Sequence, residues 1–216
     1  ALTFLGGKCV FTNEWNKYAL TTYKHWFGSD LINSEDIRTI DHSSIPSHDI
    51  LCAGFPCQPF SLAGVSKKNA LGRKHGFDDV EQGNLFDCIM KIVDIKRPPI
   101  LFLENVKNLK SHDKGKTWKY IETSIKDRGY EIFSKVLDSS HWVPQHRERI
   151  FIVCFDRSMF LDNRDINFAF PDLPTRREYN LQSILEKQPN KKYMLSDKLW
   201  NYLKDYAAKH RAKGNG

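Results

Sequence analysis

Apolar positions recur along this chain in two alternating rhythms. Short runs with strand character occur at 8–15 (KCVFTNEW), 48–54 (HDILCAG), 99–105 (PILFLEN), 130–138 (YEIFSKVLD) and 149–155 (RIFIVCF). Between them lie stretches whose apolar residues return every three or four positions: 16–27 (NKYALTTYKHWF), 84–96 (NLFDCIMKIVDIK) and 114–129 (KGKTWKYIETSIKDRG), the last closed by a glycine. The period-two runs predict strands and the 3.6-period stretches predict helices. Their alternation predicts an α/β fold, a mainly parallel, Rossmann-like sheet with helices on both faces. Beyond about residue 157 the pattern weakens, until 195–214 reads as a terminal amphipathic helix with Leu199, Leu203 and Tyr206 on one side. The division expected is therefore a core over 1–156 and a connector with a terminal helix over 157–216.

In sheets of this kind, ligands collect at the carboxyl ends of the strands. Several predicted strands end on polar residues that are costly to place there. The first ends on Glu14, another runs into Phe55-Pro56-Cys57-Gln58-Pro59, and a third ends on Glu104-Asn105; Asp36 sits near a short strand end. An acid at the end of an early strand accepts hydrogen bonds from ribose hydroxyls, so Glu14 points to a nucleoside-containing cofactor, with a helix cap or a solvated acid as the plain alternative. Cys57 stands between two prolines that fix the backbone on either side. A buried thiol used only for packing needs no such bracket, whereas a thiolate that must point outward at one angle does. A phosphatase-type loop is excluded because the arginine it requires six residues on is Ala63, and no helix directly behind the cysteine supports a papain-type nucleophile.

Composition narrows the picture. The 216 residues carry 33 Lys and Arg against 26 Asp and Glu, a net charge of +7 that suits nucleic acid. The five cysteines lack paired spacing, which argues against a disulfide framework or a zinc site and fits a reducing, cytoplasmic setting. No apolar run approaches the roughly 20 residues of a membrane span, so no membrane role is expected. No set of His, Cys and acidic residues has metal-ligand spacing, so no metal is expected.

Three separated motifs, GFPCQPFS (54–61), ENVKNL (104–109) and QHRER (145–149), resemble in identity and order the central motifs of cytosine-5 DNA methyltransferases. VFTNEWNKYA near the start and the wording around the three motifs resemble bacterial Dcm-type enzymes in particular. The resemblance implies methyl transfer from S-adenosylmethionine to C5 of a cytosine flipped out of double-stranded DNA, within CCWGG, in the nucleoid. It makes Cys57 the thiolate that adds to C6, so that C5 becomes enamine-like and attacks the methyl group. It assigns Glu104 to N3 and the exocyclic amine, as a carboxyl kept protonated by apolar surroundings. Arg147 faces O2, and Arg149, two residues on, projects to the same side of the strand. For the cofactor it implies Glu14 on the ribose, Trp15 stacked on the adenine, Asp36 and Ile37 at the adenine edge, and Leu85 alongside. The stretch 61–77 reads as a lid whose charges meet phosphates, with Gln58, Ser61, Lys67, Lys68 and Arg73 as DNA contacts.

The family pattern also includes a first strand with a Gly-rich turn, a target-recognition region and two closing motifs, none of which is found in these 216 residues. The core is thus expected to be truncated at both ends, and this stretch by itself is expected to be inactive. The competing expectations are a non-catalytic or split DNA-binding subunit that needs a complementary chain, and an RNA-directed relative.

Overall fold

The computed structural model describes residues 2–56, 84–160, 166–174 and 180–214. Four of its strands form one sheet in the order β3-β4-β6-β5: β3 (Ile50–Gly54), β4 (Ile100–Val106), β5 (Tyr130–Asp138) and β6 (Glu148–Asp156). β3 and β4 are parallel, but β6 runs antiparallel to both of its neighbours. The sheet is therefore mixed rather than mainly parallel. The cause lies in the connections: β5 and β6 are joined by the short turn 139–147, which permits only an antiparallel return, whereas β3 to β4 and β4 to β5 each cross over through a helix. A separate parallel pair, β1 (Thr12–Asn13) and β2 (Ile32–Asn33), completes the strands. The sequence pattern marks a longer first strand, yet only two residues find ladder partners there. The Thr12 and Glu14 amides donate to the Leu31 and Asn33 carbonyls and extend the pairing at both ends.

Among the described residues four helices form: α1 (Lys17–Phe27), α2 (Asn84–Lys96), α3 (Lys116–Lys126) and α4 (Asp197–Ala212). Two of them, α1 and α4, begin on a side-chain cap. The Asn16 side chain accepts from the Tyr18 and Ala19 amides, and the Ser196 side chain accepts from Leu199. α3 begins two residues later than the sequence stretch suggests, because Asp113, Lys114 and Gly115 all take left-handed conformations, with φ of 47°, 54° and 87°. Gly129, at φ 81°, turns the chain out of α3 and into β5.

The core forms where one face of the sheet meets α2 and α3. Leu101 and Leu103 of β4, with Ile150, Ile152 and Cys154 of β6, are fully buried on that face against Phe86, Met90 and Val93 of α2 and Ile121 and Ile125 of α3. Thr117, Ile121 and Ile125 recur every four residues, so one stripe of α3 carries its whole contribution to packing. The opposite sheet face is more open: Phe102 of β4 is 41% exposed and stacks on Phe151 at 5.8 Å. Further along that face, Phe133 and Phe155 pack with Phe160 and Phe168, which brings the chain just past residue 156 back onto the sheet. α1 and α4 bury none of their residues, so the helices that reach the core lie on one face. The expected apolar side of α4 accordingly stays open, with Leu199, Leu203 and Tyr206 each at least 40% exposed.

One end of the sheet is locked by a buried ion pair. Asp156 is fully buried and accepts from Arg97 Nε at 2.6 Å and Nη2 at 3.0 Å, and from both the amide and the hydroxyl of Ser158. Burial acts to raise the Asp156 carboxyl, but the hydrogen bonds from Arg97 and Ser158 outweigh it and hold the group below its ordinary value. The Arg97 guanidinium also lies over the Tyr130 ring at 5.2 Å, and the Tyr130 hydroxyl, pushed up to about 12 by burial, donates to the Pro98 carbonyl at 2.7 Å. This fastening is at the end opposite the carboxyl ends of β3 and β4. It leaves those ends as the place where polar side chains collect.

Candidate active site

The parallel register of β3 and β4 sets Gly54 directly beside Glu104. A Cβ at position 54 would lie 3.5 Å from Glu104 Oε2, an ordinary contact distance, so the carboxylate lies directly beside the end of β3. The chain then passes through buried Phe55 and Pro56, the residue before Cys57. Cys57 itself, and with it Gln58, Ser61, Lys67, Lys68, Arg73 and the whole of the expected lid, lies outside the described residues. Among the described cysteines, burial pushes up the thiols of Cys52, Cys88 and Cys154, the last to about 12. Those three are thus poor thiolates.

Glu104 projects from the same sheet face as Phe102 and Phe151, because opposite residues of an antiparallel pair share a face. Two residues before Phe151 on β6, Arg149 reaches back along that face, and its Nε lies 2.9 Å from Glu104 Oε1. The Arg149 side chain is steadied by a second bond, from Nη1 to the Glu148 carbonyl at 2.8 Å. The pair is partly screened from water: the side chains are 21% and 33% exposed. Arg149 rather than Arg147 therefore makes the contact with Glu104. Arg147 precedes the first residue of β6, is exposed, and is held through its backbone, its amide donating to Asp138 and its carbonyl accepting from Ser139. Asn105, the next residue of β4, faces the core; its Oδ1 accepts from the Val106 amide while its buried Nδ2 finds no acceptor among the described residues.

A second group of residues gathers at the ends of β1 and β2. Asn13 Nδ2 donates to the Glu35 carbonyl at 2.9 Å and to Asn33, tying the two strand ends together. Glu14 is half-buried, and its Oε1 accepts from the Asn16 amide at 2.7 Å, which leaves Oε2 for another donor. The helix-cap alternative is thus partly realised, through one of its two oxygens. Trp15 is 63% exposed, with the Arg38 guanidinium 5.7 Å from its ring centre. Arg38 also holds Asp36, its Nε within 3.0 Å of both carboxylate oxygens; this side-chain bond is the main reason the Asp36 carboxyl sits below its ordinary value. Ile37 packs against the core. Leu85 lies half-buried in the first turn of α2, one turn before Cys88, whose thiol is near enough to feel the charges of both Arg38 and Asp36. Trp15 and Asp36 are thus brought together at Arg38, while Glu14 stands beside Trp15 at the end of β1. The sequence reading omits Arg38, although its spacing in EDIR, two residues after the acid, was a usable signal. It also omits Asp138, which lies between motifs, and His146, which lies within QHRER.

A polar cluster at the ends of an early strand pair and a carboxylate–arginine pair at the carboxyl end of β4 thus stand where α/β folds collect ligands. The chain belongs to the C-5 cytosine-specific DNA methylase family, whose model it matches over residues 1–216. It is 44% identical over 244 aligned residues to the DNA-cytosine methyltransferase of Escherichia coli K12, an alignment covering 98% of this chain and 51% of the relative. It is 41% identical over 172 residues to the type II methyltransferase M.HhaI of Haemophilus parahaemolyticus, covering 79% of this chain and 48% of that protein. The chain thus spans about half the length of these relatives. In fold it is similar to a Spodoptera frugiperda DNMT2 mutant, with a TM-score of 0.68 at 21% identity over 94% of this chain and 60% of the other. The Dnmt2 methyltransferase of S. pombe gives 0.65 at 16% identity over 93% and 60%. Among the described residues no helix is long and apolar enough to cross a membrane, and no cluster of His, Cys and acidic side chains is placed to hold a metal.

Proposed function

We propose that the protein methylates C5 of a cytosine flipped out of double-stranded DNA, with Cys57 adding covalently to C6 of the base. The observation that carries this reading is the Glu104–Arg149 pair beside Gly54, three residues before Cys57, in a chain of this family. The residues at the β1 and β2 ends suit S-adenosylmethionine. Glu14 keeps one carboxylate oxygen for ribose hydroxyls, the exposed Trp15 ring offers an adenine a stacking face, and Asp36 meets the adenine edge once Arg38 shares its carboxylate. When bound, S-adenosylmethionine supplies a methyl group on a sulfonium, electrophilic enough for a carbon nucleophile to take.

Cytosine C5 is a weak nucleophile while the ring stays aromatic. The Cys57 thiolate forms a bond to C6, the ring loses its aromaticity, and electron density moves onto N3 and O2. Glu104 donates a proton to N3, and Arg149 holds its carboxyl in place through Oε1 so that Oε2, on the Gly54 side, is free to face the base. Arg147, exposed just before β6, meets O2. C5 then takes the methyl group, its own proton leaves, and the S–C6 bond breaks to restore the ring and the thiolate. Exposed Lys107, Lys110, Lys114 and Lys116, which follow β4 directly, add to the +7 net charge on the side where phosphates approach. The relatives named type II methyltransferases place such activity beside restriction, and CCWGG is the recognition sequence proposed.

The test is transfer of labelled methyl groups by the full-length protein to duplexes containing CCWGG, with the product base identified. Label on C5 of the inner cytosine supports the reading. Label on RNA alone, or on another atom of the base, overturns it.

A further inference from the structure

The turn between β5 and β6 carries Arg147 and leads into Arg149, yet its own sequence, SSHWVPQH, forms no regular element beyond a short helical turn at Ser139–His141. A turn of this length needs something to hold its two ends at one separation, and the last residue of β5 supplies it. Among the described residues, the Asp138 carboxylate accepts four hydrogen bonds, all from this turn. Oδ1 takes the amides of Ser140 and Arg147, each at 3.0 Å, and Oδ2 takes the Ser140 hydroxyl at 2.6 Å and His146 Nδ1 at 2.7 Å. Each oxygen thus takes one partner from the start of the turn, Ser140, and one from its end, Arg147 or His146. Ser139 reinforces the closure, its amide donating to the Arg147 carbonyl and its hydroxyl to the Gln145 carbonyl. Because an acceptor-only carboxylate faces Nδ1, that nitrogen carries a proton, and the ring then directs Nε2 toward Glu148, 3.7 Å away, which Lys107 also contacts.

The consequence is positional. β6 starts at Glu148, paired with Asp138, and a slip of one residue there would turn Arg149 to the opposite face of the sheet, away from Glu104. We propose that Asp138 is a positioning residue for the reaction: its carboxylate closes the turn and so sets the register that aims Arg147 and Arg149. This rests on the reading of Glu104 and the arginines as the catalytic group. It adds that the aim of the arginines depends on a side chain that touches neither the base nor Glu104.

The experiment compares Asp138→Ala, Asp138→Asn and the double variant Ser140→Ala/His146→Ala in the full-length protein. Active sites are counted by covalent trapping on a duplex with 5-fluorocytosine, and single-turnover transfer is expressed per trapped site. Asp138→Ala is expected to lower the rate per site by about 10²-fold, as misplacement of a catalytic group by an ångström does, with KM for S-adenosylmethionine unchanged. Asp138→Asn keeps an oxygen for the two amides and is expected within about fivefold of wild type, since its amide nitrogen can still donate to the Ser140 hydroxyl and to His146 Nδ1 in the other tautomer. The double variant, which removes only the Oδ2 contacts, is expected to lose roughly tenfold and carries the test if Asp138→Ala does not fold. An unchanged rate per site in Asp138→Ala or in the double variant, with only the number of folded sites reduced, overturns the inference. So does an Asp138→Asn variant as slow as Asp138→Ala. A wild type that traps no duplex at all instead overturns the reading of the catalytic group itself.

Discussion

Glu104 and Arg149 offer a measurement in which stability and activity must part company. Their side chains are 33% and 21% exposed, with one contact at 2.9 Å, so the pair falls among partly screened ion pairs and contributes at most about 1 kcal/mol to folding. Replacing Arg149 with Met, which keeps most of the stem, should therefore move the urea midpoint little. The effect on methyl transfer is expected to be much larger. Losing one preorganised charged donor next to developing charge slows turnover by roughly 10²–10³-fold. Glu104→Gln retains an acceptor for Arg149 Nε but cannot donate a proton to N3, and loss of general-acid action slows turnover by roughly 10²–10⁴-fold. If Arg149 acts by holding Glu104, the two form one unit, and the double variant should be no slower than the slower single. Independent roles would instead multiply, giving a loss of at least about 10⁴-fold. Single-turnover transfer of labelled methyl groups for wild type, both singles and the double decides the matter. Multiplying losses, or an Arg149→Met rate within a few-fold of wild type, would refute the argument.

Three further outcomes follow from the geometry. Arg97→Ala leaves the fully buried Asp156 with only Ser158, and should lower stability in urea by about 3 kcal/mol, the low end for a broken buried pair because Arg97 is itself 42% exposed. Asp156 and Asp138 are both held below their ordinary values in the folded state, so their contribution is complete above the unfolded carboxylate range near pH 4 and is lost as pH falls through it. Asp156→Asn should accordingly make unfolding between about pH 4 and pH 2 shallower than in wild type. Trp15→Ala should weaken S-adenosylmethionine binding, measured by calorimetry, by roughly tenfold while leaving the melting temperature nearly unchanged, since the ring is 63% exposed and contributes little packing.

Most of the fold was legible because the relevant signals are local. The buried runs of β4 and β6 and the four-residue spacing of Thr117, Ile121 and Ile125 fall where their periodicity marks them. The direction of β6 was not legible, because period-two alternation is the same for parallel and antiparallel pairing. It follows from the shortness of the turn at 139–147. The openness of α1 and α4 was likewise hidden: an amphipathic pattern states which side prefers burial, not whether a partner is present. For the site, Glu104, Arg149, Glu14, Trp15 and Asp36 were marked by motif wording. The division of labour between the two arginines needed the register that sets Arg149 opposite Val106, diagonal to Glu104. Arg38 and Asp138 escaped notice because their roles depend on which strand ends meet, which no single segment encodes.

The central claim is that Cys57 forms a covalent bond to the target base. A duplex in which 5-fluorocytosine replaces the target cytosine tests it most directly, because after methyl transfer C5 carries no proton to lose and the S–C6 bond cannot break. With S-adenosylmethionine and the full-length protein, the account predicts a denaturant-stable protein–DNA complex whose linked peptide contains Cys57, absent in Cys57→Ala although that variant still binds DNA. Methylation of ordinary duplex without any trapped complex, or a complex linked through Cys52 or another residue, would contradict it.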